Sequence, residues 1–90
     1  MNPIGDIKRF LLRALLRLNT VPWPDPLLDH AARQGLLPRP LQSDINQAKR
    51  ELENAGYIQG SRDELDDLLT WTLTDKGRHK AKQLEQSESL

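Results

Sequence analysis

Apolar residues recur with helical spacing from residue 4 to residue 18. At about 100° per residue, Ile4, Ile7, Phe10, Leu11, Ala14, Leu15 and Leu18 fall on one broad face. Arg9, Arg13 and Arg17 lie on the opposite side, at i, i+4 and i+8. Leu12 and Leu16 sit between the two faces, so this helix is apolar over more of its circumference than packing on one small domain requires. Residues 19–26, NTVPWPDP, contain three prolines and admit neither a helix nor a central strand. Asp25 then reads as an N-cap with Pro26 at the first helical position. A short second helix, LLDHAARQ, follows with Leu27, Leu28 and Ala31 inward, and it stops at Gly35.

LLPRP interrupts the chain again, and Pro40 can open a third helix. From Leu41 to Ala55 the apolar positions Leu41, Ile45, Ala48 and Leu52 are spaced i, i+4, i+7 and i+11, with polar residues between them. Gly56 ends this helix as the left-handed residue of a C-terminal cap. Tyr57-Ile58-Gln59 reads as a strand and SRDELDD as a polar loop. In LLTWTLT, Leu69, Trp71 and Leu73 alternate with threonines, as a half-buried strand requires. Thr74-Asp75 can cap a last helix with Ala81 and Leu84 inward and Arg78, Lys80 and Lys82 outward. The end, EQSESL, has no periodicity and is expected to fray.

The order is helix, helix, helix, strand, loop, strand, helix. It predicts an α+β fold, mainly α: a winged helix-turn-helix of three helices, a two-stranded wing hairpin and a C-terminal helix. One domain over residues 1–84 with a tail at 85–90 accounts for all 90 residues. Met1 and the unpatterned tail fit a complete chain.

An apolar share of 37% with 29% charged residues is that of a globular domain, not a disordered one. The chain lacks cysteine, which removes disulfides and thiolate metal sites and fits a reducing cytoplasm. No apolar run reaches membrane-spanning length, and the charges in the first helix exclude a signal peptide, so no membrane association is expected. His30 and His79 lack companion ligands. The acids at 63–67 lack the glycine and closing glutamate of a calcium loop. No cofactor is implied, and no nucleophile–base pair or phosphate-cradling loop suggests an enzyme.

Two segments carry a family resemblance. ELENAGYI, residues 51–58, resembles the end of the recognition helix and the first wing strand of winged-helix regulators. WTLTDKGR, residues 71–78, resembles the second wing strand and final helix of regulators of the MarR and PadR kinds. The likeness extends over residues 27–84. It implies double-stranded DNA as the partner, with the third helix in the major groove. Carried over by position, the DNA-contacting residues are Gln42, Ser43, Asn46 and Gln47, with Lys49 and Arg50 reaching phosphate or guanine. The residue types suit the task, because amides pair with adenine and arginine with guanine.

Two features depart from that picture. The 13 basic residues are matched by 13 acidic ones, so the whole-chain positive charge that attracts phosphates is missing. The wing loop sets Asp63, Glu64, Asp66 and Asp67 against Arg62, leaving Arg62 as the candidate wing contact to DNA. A protein-docking module, using the acidic wing or the apolar flank of the first helix, is the competing reading. Leu12 and Leu16 on that flank are the candidate homodimer interface. Trp71 is expected in the core and Trp23 as a lid over it.

Overall fold

The computed structural model describes residues 3–17 and 21–88. Its elements are α1 (Pro3–Arg17), β1 (Trp23–Pro24), α2 (Asp25–Gly35), α3 (Gln42–Asn54), β2 (Ile58–Arg62), β3 (Leu69–Leu73) and α4 (Asp75–Glu88). Leu18, expected on the inner face of the first helix, lies outside the described residues.

One core joins all the long elements. Ile7, Leu11 and Leu15 of α1 meet Leu28 and Ala32 of α2, Ile45, Ala48 and Leu52 of α3, and Ile58, Trp71 and Leu73 of the sheet. Ala81 of α4 is fully buried beside them and Leu84 is packed against the cluster, as their spacing implies.

The sheet is antiparallel with strand order β1-β3-β2. Ile58 pairs with Leu73 and Arg62 with Leu69 in the hairpin, and Trp23 pairs with Trp71 on the other edge. The expected two-stranded wing hairpin is β2–β3, and β1 adds a third strand to it. Two residues are too few for an alternating pattern, and Pro24, which lacks an N–H, is tolerated only on a sheet edge. Trp23 is half-buried against the core, as a lid would be.

Four apolar positions also differ from their expected places. Leu12 is only 3% exposed, and Leu16 is partly buried against the core. The cause is α4, which folds back along α1, so that Leu12 lines a groove with Leu52, Tyr57 and Leu84. The flank expected to pair two subunits is therefore largely used inside the chain. Leu27 is 50% exposed, and the inner face of α2 is formed by Leu28, Asp29 and Ala32. Leu41 is 68% exposed because it precedes the first helical residue of α3 and its side chain leaves the seam. No glycine or proline interrupts α4 after Gly77, and the helix continues to Glu88 through most of the segment expected to fray.

The start of α4 is clamped to the end of α3. Gly56, at φ +84°, turns the chain out of α3, and the Tyr57 amide returns to the Leu52 carbonyl at 2.9 Å. Thr74 Oγ1 accepts the Gly77 amide at 3.0 Å as an N-cap, and it donates to the Gly56 carbonyl at 2.5 Å. The Lys76 ammonium donates to the Ala55 carbonyl at 2.7 Å, where the negative end of the α3 dipole lies. This closeness demands glycine at position 77, since a Cβ there would stand 1.8 Å from the Tyr57 carbonyl oxygen. Gly77→Ala is expected to destabilise the fold by about 1–3 kcal/mol, the usual cost of overpacking. Leu65→Ala, at a position 97% exposed, should stay within about 0.5 kcal/mol. Equilibrium urea denaturation checks both, and an unchanged midpoint for Gly77→Ala would contradict the clamp.

Candidate nucleic-acid interface

The helix-turn-helix unit is α2, the turn at 36–41, and α3. The Asp44 and Ile45 amides both bond to the Leu41 carbonyl at 3.1 Å, which starts α3 without a side-chain cap. Asp44 in the first turn suits the positive end of the helix. With Ile45, Ala48 and Leu52 fully or almost fully buried, the helix must turn its other side outward. Gln42, Ser43, Asn46, Gln47 and Arg50 are all exposed on that side. The structure thus brings together five of the seven residues singled out for DNA.

Lys49 is not among them. It is 6% exposed, and its ammonium donates to Asp25 Oδ1 and to Asp29 Oδ1, each at 2.6 Å. Both carboxylates have further donors: Trp71 Nε1 reaches Asp25 Oδ1 at 2.8 Å, and Gln42 Nε2 reaches Asp29 Oδ2 at 3.0 Å. The expected phosphate contact is instead an internal tie between α3, α2 and β3. Asp25 likewise does not cap α2: Pro24 holds the N-cap position without a side-chain bond, and the Asp25 carboxylate turns to Lys49. Burial pushes the Asp25 carboxyl up, but the Lys49 ammonium and the Trp71 N–H outweigh it and hold the group below its ordinary 3.8.

The exposed row is partly ordered by its neighbours. Gln42 also donates to Asn46 Oδ1 at 3.0 Å and accepts from Arg33. Gln47 donates to Glu51 Oε2 at 2.8 Å, and Glu51 Oε1 accepts from Lys8 of α1 at 2.5 Å. The Lys8 and Gln47 bonds hold the Glu51 carboxyl below its usual value. The Ser43 and Arg50 side chains make no hydrogen bond among the described residues. Arg33, which touches Gln42, and exposed Arg39 in the turn add positive charge that the spacing of α3 alone did not bring into view.

Arg62 is exposed, but it is folded onto its own loop. Its Nη1 donates to the Asp67 carbonyl at 3.2 Å and faces Asp67 Oδ1 at 3.4 Å. Two of the other wing acids build the turn. Asp63 Oδ1 accepts the Leu65 amide at 2.8 Å and Asp66 Oδ1 the Leu68 amide at 3.2 Å. No cluster of three or more potential metal ligands occurs among the described residues, and no described helix is long and apolar enough to cross a membrane.

No protein-family model matches the sequence, and no curated protein is significantly similar to it. Solved structures are similar in shape. ZitR of Lactococcus lactis, as a double mutant in the apo form, superposes with a TM-score of 0.70 at 18% identity, over 96% of this chain and 59% of its own. Another ZitR mutant gives 0.69 at 19% identity, over 93% of this chain and 52% of its own. The protein smu.1704 of Streptococcus mutans UA159 gives 0.71 at 18% identity, over 91% of this chain and 78% of its own. The chain has the winged-helix fold. It spans a little over half the length of the ZitR chains it resembles. In this fold α3 is the second helix of the helix-turn-helix unit, and β2, β3 and their loop are the wing.

Lys49→Ala would leave two inward-facing carboxylates without their cation and is expected to cost about 3–5 kcal/mol. Lys49→Met, which keeps the apolar stem but also removes the charge, should rank between Ala and wild type. The Asp25 contribution is fully present above pH 3.8 and is lost as pH falls through the lower folded-state value. Wild type should therefore lose stability more steeply than Asp25→Asn as pH falls below about 4. Thermal melts across that range check it, and parallel pH curves would contradict the assignment.

Proposed function

We propose that this winged helix binds double-stranded DNA with α3 in the major groove, as a small cytoplasmic transcriptional regulator and not as an enzyme. The observation that carries the reading is the exposed row Gln42, Ser43, Asn46, Gln47 and Arg50, backed on the same helix by a buried seam. Amides paired across one turn suit adenine edges, and the Arg50 guanidinium, without a partner among the described residues, suits guanine. The resemblance of residues 51–58 and 71–78 to MarR- and PadR-type regulators supports the same reading.

Backbone attraction comes from few cations. With Lys49 internal and Arg62 held by Asp67, Arg50, Arg39 and Arg33 remain near α3. Binding should accordingly show a shallow dependence on salt, because few phosphates are neutralised. A second reading, docking on another protein through the wing without DNA, is favoured by Leu65, which is 97% exposed among four acids.

Selection from random-sequence duplexes by mobility shift tests the two. A defined motif should emerge, and Arg50→Ala or Asn46→Ala should weaken its binding by about 1–3 kcal/mol each. Glu64→Lys, which removes an acid without touching α3, should not weaken it. No motif and no retention at low salt would favour the protein-docking reading.

A further inference from the structure

The chain contains two complementary surfaces that do not meet within one copy. One is the groove between α1 and α4, about 240 Å³ in volume, with an apolar floor of Leu12, Leu52, Tyr57 and Leu84. Its rim carries Lys8, Arg9 and Lys80. The other is the tip of the wing, where Leu65 projects between Glu64 and Asp66 with Asp63 and Asp67 beside it. An exposed leucine flanked along the chain by four acids matches an apolar floor bordered by cations. The chain's own Leu65 is 97% exposed, so its wing does not occupy its own groove.

We infer that the wing tip of one copy docks in the α1–α4 groove of a second copy. Leu65 enters the apolar floor, and the acids around it face Arg9 and Lys80. Two of the three rim cations are available for this, whereas Lys8 is already paired with Glu51 at 2.5 Å. Lys80 is exposed and makes no ion pair among the described residues, and Arg9 has only an exposed pair with Asp6, which is worth little. Both surfaces are built on ordered elements: the wing turn by the Asp63 and Asp66 amide bonds, and the groove by the burial of Leu12 and Leu52. The wing acids, which repel phosphate, thereby gain a partner of the opposite sign. This assignment is independent of the DNA reading, since none of its residues belongs to the exposed row of α3.

A contact of this size lies at the small end of specific interfaces, so association is weak and salt-sensitive. Sedimentation equilibrium of the full chain over tens to hundreds of micromolar, at low and high salt, reads it directly. The expected result is an average mass that rises above monomer with concentration at low salt and falls back at high salt. Leu65→Asp, at an exposed position that leaves the fold unaffected, should weaken association by about tenfold or more. Copies bearing Arg9→Glu with Lys80→Glu should not self-associate, and copies bearing Glu64→Lys should do so more weakly than wild type. A mixture of those two variants should recover association in part, because the charge at position 64 is exchanged and not removed. Circular dichroism of each variant verifies folding. A wild type monomeric at every concentration and salt would overturn the inference, as would variants that associate as strongly as wild type.

Discussion

The position of α3 depends on one buried cation. The Lys49 ammonium enters the α2–α3–β3 junction and meets two carboxylates at 2.6 Å. Removing an ammonium from water is costly unless its partners are close and are themselves satisfied. Here they are, because Trp71 supplies a second donor to Asp25 and Gln42 a donor to Asp29. Turning α3 by one residue, about 100°, would withdraw the ammonium and leave both carboxylates unpaired. The network therefore selects one rotation of the helix. That rotation sends Gln42, Ser43, Asn46, Gln47 and Arg50 to the surface together. Gln42 belongs to both sets, since its amide reaches buried Asp29 and exposed Asn46.

The formal charge of zero hides a strong separation. α1 carries Lys8, Arg9, Arg13 and Arg17 against Asp6, whereas the wing carries Asp63, Glu64, Asp66 and Asp67 against Arg62. Part of the wing acidity is structural, because Asp63 and Asp66 hold the turn and Asp67 adopts φ +54°. A wing made this way is a poor grip on phosphate. In the proposed function, DNA recognition rests on α3 and the cations near it, and the wing is left to the proposed second copy.

Much of this architecture can be read in the residues. Strict spacing placed α3, the alternation at 69–73 placed β3 and the core position of Trp71, and Gly56 and Thr74 marked helix boundaries that hold. Sites whose environment is set by distant elements were less legible. Leu12 looked exposed on an isolated helix because nothing local announces that α4 covers it. Leu41 looked internal because the heptad-like spacing continues one residue beyond the helix start. Lys49 did have a signal: it follows Ile45 by four residues and precedes Leu52 by three, so it lies inside the apolar seam. An inward lysine needs inward acids, and Asp25 and Asp29 share one face of the preceding helix. β1 was illegible, being two residues long and half proline.

Amide chemical-shift mapping of the labelled chain titrated with duplex DNA at low salt examines the link between the buried cation and the exposed row. The account predicts perturbations concentrated on residues 42–50 and around Arg39, with residues 63–68 of the wing unmoved. Perturbations centred on the wing or on the α1–α4 groove, with α3 silent, would contradict it.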